Sequence, residues 1–124
     1  MQEGKKKILI VDDDPDIRLF LNFSLKKAGY EVLQAANGAK ALDVLREHTP
    51  DLIVTDAMMP VLDGYALIQA VKNQSASSGI PVLMLTGKDS EQVTEGASRP
   101  DAYMRKPFAT PDILALIQKL LTNP

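Results

Sequence analysis

The 124-residue sequence contains no cysteine, no tryptophan and a single histidine, His48. The absence of cysteine excludes disulfides, zinc–thiolate sites and a cysteine nucleophile, and one histidine cannot build a multi-histidine metal site. The longest uninterrupted apolar run, at 113–117, has five residues, whereas a membrane-spanning helix needs about 20. The apolar run after the N-terminal lysines is too short for a signal peptide, so the sequence predicts a cytoplasmic chain with no membrane partner.

A large excess of charge of one sign is also lacking. Lys and Arg number 14 and Asp and Glu number 16, which leaves a net charge of −2. This balance disfavours direct binding of nucleic acid, because nucleic-acid binders usually carry a basic excess. The hydrophobic fraction of 45% is enough for one core, and the length is that of one domain. The composition therefore predicts a single globular domain.

The sequence does contain an alternation of short apolar strands with amphipathic helices. Five strands are predicted, at 8–11, 31–35, 52–54, 81–85 and 102–104. Helix boundaries are indicated by residues typical of caps, which are Asp14-Pro15, Gly29, Asn37-Gly38 and Thr110. Alternating strands and helices joined by right-handed crossovers predict a doubly wound α/β fold around a five-stranded parallel sheet.

Polar and charged residues stand at the carboxyl ends of four of these strands, where ligands bind in such sheets. They are Asp12-Asp13-Asp14, Asp56, Thr86-Gly87 and Lys106. Clustered carboxylates repel one another, so the site is expected to hold a cation. Oxygen ligands without His or Cys favour a hard cation, of which Mg²⁺ is the usual one.

These residue types also suit phosphoryl transfer. A carboxylate beside Mg²⁺ can attack a phosphoryl group and form an acyl phosphate. Lys106 offers a fixed positive charge for the phosphoryl oxygens, Thr86 offers a hydroxyl donor, and Gly87 lets the backbone approach closely.

Each residue alone has an ordinary structural interpretation. Asp12 and Asp13 could cap the first helix, although Asp14 fills that role better, and Asp56 could be a turn residue. Lys106 could be a solvated lysine, and Tyr103 a half-buried strand residue. The combination at four strand ends favours a functional site.

Five segments resemble the motifs of the receiver domain of bacterial two-component response regulators. They are Ile8-Leu-Ile-Val-Asp-Asp-Asp-Pro15, Asp51-Leu-Ile-Val-Thr-Asp-Ala-Met-Met-Pro60, Leu62-Asp-Gly64, Pro81-Val-Leu-Met-Leu-Thr-Gly87 and Tyr103-Met-Arg-Lys-Pro-Phe108. The resemblance extends from about residue 7 to residue 121. It implies a flavodoxin-like sheet of order 2-1-3-4-5 with five helices.

The resemblance also implies a role for each matching residue. Asp56 would be the phosphoacceptor. Asp13 and Asp56 would ligate Mg²⁺, for which Mn²⁺ is a substitute, together with the backbone carbonyl of Met58. Asp12 would act largely through a metal-bound water.

Further residues would surround the phosphoryl group. The phosphate-binding positions are Ala57, Thr86, Gly87 and Lys106, and Thr86 and Tyr103 would form a switch. A cis bond before Pro107 would direct Lys106 into the site. Met58 and Lys88 match positions that tune the phosphoryl lifetime, and Met58 implies slow self-dephosphorylation.

The sequence departs from the family between the fourth and fifth strands. Only 20 positions separate Thr86 from Lys106, about two fewer than receivers usually have, and residues 88–100 are poor in apolar side chains. We expect the helix between these strands, the fourth of five, to be short or irregular.

The implied function is that of a signalling phosphoprotein rather than an enzyme. A sensor histidine kinase or phosphotransfer protein would supply the phosphoryl group, and the chain would then contact an output protein. Whether phosphorylation also causes two copies of the chain to form a dimer stays an open question. Residues 1–124 would be all receiver, with no output domain. Two alternatives stay open, a pseudo-receiver without phosphotransfer and a phosphohydrolase suggested by Asp12-x-Asp14.

Overall fold

The computed structural model describes residues 5–57, 64–74, 77, 79–87 and 100–122. The strands are β1 Lys7–Val11, β2 Glu31–Ala35, β3 Leu52–Asp56, β4 Val82–Thr86 and β5 Ala102–Arg105. The helices are α1 Pro15–Lys27, α2 Gly38–Glu47, α3 Gly64–Lys72 and α4 Thr110–Thr122. The strands form one sheet in the order β2-β1-β3-β4-β5, and every neighbouring pair is parallel. The predicted fold class and strand order are confirmed.

The burial of each strand follows from its place in the sheet. All residues of β3 and β4 are buried, as are four of the five residues of β1, because helices cover both faces of a central strand. The edge strand β2 is more polar and only partly buried. In the other edge strand, β5, exposed and half-buried residues alternate.

Alternation along the central strands divides the core into two layers. Leu9 and Ile53 point to the layer that α2 and α3 cover, whereas Ile8 and Val54 point to the layer that α1 and α4 cover. The two helix layers therefore pack on opposite faces of the sheet. The candidate site lies at the carboxyl ends of the strands.

The predicted caps of the first two helices are confirmed. The Asp14 side chain accepts a hydrogen bond from the Asp16 amide at 2.9 Å, with Pro15 at the first helical position. Gly29 follows the end of α1 with a φ of 102°, the left-handed conformation that favours glycine. Asn37 accepts from the amide of Lys40 at 2.9 Å and begins α2.

The helix expected between β4 and β5 lies outside the described residues, so four helices are counted in the described part of the chain. Where the description resumes, Asp101 anchors the chain ahead of β5. Its carboxylate accepts a hydrogen bond from the Val82 amide at 2.7 Å and lies 3.5 Å from the ammonium of Lys72. Among the described helices, none is both long and apolar enough to cross a membrane.

Candidate functional site

The site begins at Asp12, the residue that follows β1. Its side chain is buried, with 1% exposed, and its backbone amide donates to the carbonyl of Ala35 at 3.2 Å. One carboxylate oxygen, Oδ1, accepts a hydrogen bond from the Asp14 amide at 3.0 Å. The backbone thus holds this buried carboxylate in one orientation.

Three carboxylates meet at this end of the sheet. Asp12, Asp13 and Asp56 each place an oxygen within 4.8 Å of the others. The side chain of Asp56 is mostly buried, with 13% exposed, whereas Asp13 is exposed. Their mutual repulsion is relieved by a cation, and an all-oxygen donor set suits Mg²⁺ better than a softer metal. The residues present therefore fit the predicted ion.

Lys106 enters this cluster from the chain segment after β5. Its ammonium nitrogen lies 3.3 Å from Asp12 Oδ2 and 3.3 Å from Asp56 Oδ1. Its own amide donates to the carbonyl of Thr86 at 2.8 Å, which ties the ends of β4 and β5 together. The predicted cis bond between Lys106 and Pro107 is confirmed.

The two carboxylates set the charge state of Lys106. Burial alone lowers the pKa of its ammonium group, but the attraction of Asp12 and Asp56 and the hydrogen bonds to them outweigh burial, and the pKa is raised. A raised lysine pKa keeps the side chain positive throughout the neutral range. The contribution of this charge to stability is lost only when the pH rises through the raised value.

Thr86, the last residue of β4, contributes a buried hydroxyl. The residue is 2% exposed, and its Oγ1 has no hydrogen-bond partner among the described residues. A buried hydroxyl without a partner is costly, so this oxygen is suited to an incoming acceptor such as a phosphoryl oxygen. The next residue, Gly87, is exposed, and a Cβ built there would meet no atom within 4 Å.

We predict that Thr86→Val stabilises the protein in the absence of a phosphoryl donor. The valine methyl group replaces a buried hydroxyl without losing a hydrogen bond, so the free energy of unfolding should rise by about 1 kcal/mol. Urea denaturation in EDTA measures this change. Thr55→Val is the matched control, because Thr55 is also buried but its hydroxyl donates to the Asp56 carbonyl at 3.0 Å. Equal destabilisation by both substitutions would contradict the prediction.

The remaining predicted residues are placed as follows. Ala57 is buried directly after β3, and its amide donates to the carbonyl of Leu85 at 2.9 Å, so this donor is engaged in the sheet. Tyr103 lies on β5 and is 43% exposed. Met58 and Lys88 lie outside the described residues.

One residue near the site was missed by the sequence reasoning. Arg18, in the first turn of α1, donates from Nη1 to the backbone carbonyl of Asp12 at 2.7 Å. The available signal was weak, namely a cation one turn into the helix that follows the acidic residues. Side chains on a helix lean toward its N-terminus, which brings position 18 back over that loop.

Sequence comparison finds relatives along nearly the whole chain. The profile of the response regulator receiver domain matches residues 8–118. The chain is 42% identical over 123 residues to the probable transcriptional regulator ycf27 of Cyanophora paradoxa, with 98% of this chain and 50% of that protein covered. It is 39% identical over 118 residues to the alkaline phosphatase synthesis transcriptional regulatory protein PhoP of Bacillus subtilis, with 94% and 48% covered. The chain thus spans about half the length of the curated relatives it matches.

Solved structures that superpose on this chain come from response regulators and receiver domains, in agreement with the profile match. The chemotaxis response regulator CheY4 of Vibrio cholerae superposes with a TM-score of 0.88 at 36% identity, and 95% of this chain and 100% of that chain are covered. The receiver domain of the sensor histidine kinase PA1611 from Pseudomonas aeruginosa superposes with a TM-score of 0.88 at 25% identity, with 97% and 100% covered. That structure has a magnesium ion coordinated in its active site cleft.

Proposed function

The chain belongs to the response regulator receiver domain family, and from this premise we propose that it accepts a phosphoryl group on Asp56 in two-component signalling. The observation that carries the proposal is the contact of Lys106 with Asp12 and Asp56 at 3.3 Å inside a cluster of three carboxylates. A lone surface carboxylate would need none of these neighbours. A phosphoacceptor needs all of them, because charge must be balanced before, during and after transfer.

The proposed reaction is a displacement at phosphorus. A carboxylate oxygen of Asp56 attacks the phosphoryl group of a phosphohistidine whose other ring nitrogen has taken a proton from water, the phosphorus–nitrogen bond breaks, and neutral imidazole leaves. The product is an acyl phosphate on Asp56. Lys106 is near enough to stabilise the transferred oxygens, and the unpartnered hydroxyl of Thr86 is a second donor for them.

The proposed cation site consists of Asp12, Asp13 and Asp56. The Met58 carbonyl is a further ligand proposed from the family resemblance. Bound Mg²⁺, or Mn²⁺ in its place, would offset the negative charge that the carboxylates and the phosphoryl group bring together. Lys106 alone cannot do so, since one positive charge faces three carboxylates.

An apolar surface next to the carboxylate cluster supports docking of a macromolecular phosphoryl donor. Leu19 and Phe23 on α1 are 67% and 66% exposed, and Phe20 is 41% exposed. The ring of Phe20 lies 6.2 Å from that of Phe108, which follows Lys106 by two residues. Large exposed apolar side chains of this kind mark interaction sites on soluble proteins. We place a sensor histidine kinase or phosphotransfer protein there, which agrees with a cytoplasmic chain.

The test is covalent labelling of the purified chain with acetyl phosphate. The proposal expects one phosphoryl group per chain, dependent on Mg²⁺, lost in EDTA, labile to hydroxylamine and located on Asp56 by mass spectrometry. No adduct with acetyl phosphate or with a phosphorylated kinase would identify a pseudo-receiver. Rapid turnover of many equivalents of phosphate ester would identify a phosphohydrolase.

The proposed output is a change around Tyr103 when Thr86 gains a partner. Tyr103 is 43% exposed on the edge strand β5, where it pairs with Met84, two residues before Thr86. If Thr86 moves to a phosphoryl oxygen, it vacates space that this ring can fill. Signal would then pass to an output protein through contact with this edge of the sheet.

The proposed coupling of Thr86 to Tyr103 predicts a change in the environment of the Tyr103 ring, which ¹⁹F NMR of fluorotyrosine-labelled protein can measure. With Mg²⁺ and beryllofluoride the Tyr103 resonance should shift and become less accessible to a soluble paramagnetic probe, whereas Tyr30 in the α1–β2 connection should not. Tyr103→Phe assigns the resonance, and Thr86→Val should abolish the shift. An unchanged Tyr103 resonance in fully bound protein would contradict the switch.

A further inference from the structure

Arg18 lies five residues after Asp13 of the acidic cluster, and the proposed phosphoryl transfer gives it no role. It is half-buried in the first turn of α1, and its Nη1 donates to the Asp12 carbonyl at 2.7 Å. Its backbone amide donates to the Asp14 carbonyl at 3.1 Å. Arg18 therefore forms two hydrogen bonds with the segment between β1 and α1, one from its backbone amide and one from its guanidinium.

The guanidinium holds the carbonyl of Asp12, for which it is the one hydrogen-bond partner among the described residues. The amide of Asp12 is bound to Ala35, and its two carboxylate oxygens are bound to the Asp14 amide and to Lys106. Its carbonyl is bound to Arg18. These four contacts account for every polar atom of the residue.

The carbonyl of Asp12 and the amide of Asp13 belong to the same planar peptide group. A donor that holds the carbonyl therefore sets the direction in which the chain enters Asp13. The Asp13 side chain is exposed, and within the described part of the chain no hydrogen bond or ion pair fixes its carboxylate. The place of Asp13 in the cluster thus depends on its backbone.

We propose that Arg18 is a positioning residue for the cation site. By holding the Asp12–Asp13 peptide, its guanidinium keeps the carboxylate of Asp13 directed at the point where those of Asp12 and Asp56 meet. It acts through Asp12 and Asp13 and does not contact the cation. The inference rests on the proposed function, because that function supplies the cation.

Two effects of Arg18 on a bound cation have opposite signs. As a positive charge near the site it repels Mg²⁺, so removing the charge alone would tighten Mg²⁺ binding. As a positioning residue it preorganises the ligands, and removing a partner that orients metal ligands typically weakens metal binding by about 10-fold to 100-fold. The direction of the change therefore separates positioning from simple charge repulsion.

The experiment is calorimetric titration of the unphosphorylated protein with MgCl₂. We expect Arg18→Met to raise the Mg²⁺ dissociation constant by about 10-fold. Arg18→Lys should raise it less, because lysine keeps the charge and one donor. The matched control is Arg46→Met on α2, whose guanidinium pairs with Asp43 on the exposed surface and should leave Mg²⁺ binding unchanged. Urea denaturation in EDTA reports folding separately for each variant.

Binding by Arg18→Met as tight as wild type, or tighter, overturns the inference. An equal loss in Arg46→Met overturns it as well, because the effect would then be unspecific. If Arg18→Met fails to fold, Arg18→Lys decides, and wild-type affinity in that variant overturns the inference. If the wild type binds no Mg²⁺, or if Asp13→Asn binds it as well as the wild type, the cation site of the proposed function fails and the inference falls with it. Wild type and Asp13→Asn are therefore measured first.

Discussion

Asp56→Asn is expected to abolish covalent phosphorylation of the chain. The carboxylate is the attacking group, and an amide oxygen of the same size is neutral and a far weaker nucleophile. Asn has nearly the same shape as Asp and fits the end of β3, so the fold should be retained. After incubation with acetyl phosphate and Mg²⁺, intact-mass analysis should show a phosphoryl adduct on the wild type and none on the variant.

The chain offers a matched control directly before the same strand. Asp51 lies at the opposite end of β3, where its Oδ2 accepts a hydrogen bond from the Lys7 amide at 2.8 Å. Asp51→Asn changes an aspartate of the same segment outside the cluster and should label like the wild type. An adduct on Asp56→Asn, at Asp12 or Asp13 or elsewhere, would show that Asp56 is not the phosphoacceptor.

The sheet could be predicted almost fully from the sequence, because strands that are buried on both faces appear as short continuous runs of apolar residues. Near-continuous apolar runs such as Ile8–Val11 are typical of the central strands of a parallel sheet, which are buried on both faces. Small shifts at the ends have physical causes. The fourth strand was predicted at 81–85 and is observed at Val82–Thr86. Pro81 has no amide hydrogen for the ladder, although its carbonyl accepts from the Ile53 amide at 3.0 Å.

The site could be predicted as a set of residues but not as a network of contacts. Parallel topology brings the ends of β1, β3 and β4 together, which made Asp12, Asp56 and Thr86 neighbours in advance. It does not say which oxygens Lys106 contacts from 94 residues away in sequence. Nor does it show that the Thr86 hydroxyl finds no partner in the described part of the chain, since that depends on side-chain rotation within a packed core.

Arg18 shows most clearly where sequence reasoning ends. Its partner is a backbone carbonyl, and every residue has one, so the contact leaves no pairing of residue types to find. The acidic residues, by contrast, were visible because charge clusters are rare and repulsive. A helix cap such as Asp14 or Asn37 can be predicted because particular residue types favour it, whereas the contact of Arg18 with a loop carbonyl has no such preference and needs coordinates.

The second large effect is expected from Lys106→Met, which should destabilise the protein by about 2 kcal/mol in EDTA. Removing one partner of a buried ion pair costs about 3–5 kcal/mol, because the other charge stays buried and unpaired. The lysine is partly exposed, with 27% of its side chain accessible, so water recovers part of this cost. The variant removes the Lys106 ammonium group from the cluster of Asp12, Asp13 and Asp56.

Lys72→Met is the control for losing an ammonium group whose carboxylate partner is exposed, and it also removes a hydrogen bond from Lys72 Nζ to the Ile80 carbonyl at 3.3 Å. The side chain of Lys72 is also 27% exposed, but its partner Asp101 is 41% exposed, against 1% for Asp12 and 13% for Asp56. Its ion pair at 3.5 Å should therefore contribute less than about 1 kcal/mol. The two substitutions delete the same ammonium group at the same exposure, so the difference between them reports how deeply the carboxylates that lose this ammonium group are buried.

Urea denaturation of wild type, Lys106→Met, Lys106→Arg and Lys72→Met at neutral pH and low salt measures these differences, because urea is uncharged and does not screen ion pairs. Lys106→Arg keeps the positive charge and should lose much less stability than Lys106→Met, since the carboxylates stay paired. If charge pairing controls the cluster, the loss ranks Lys106→Met first and the other two well behind. A loss in Lys106→Met no larger than in Lys72→Met would mean that water already solvates these carboxylates so well that the Lys106 ammonium adds little. The electrostatic basis of the proposed phosphoacceptor site would then be wrong.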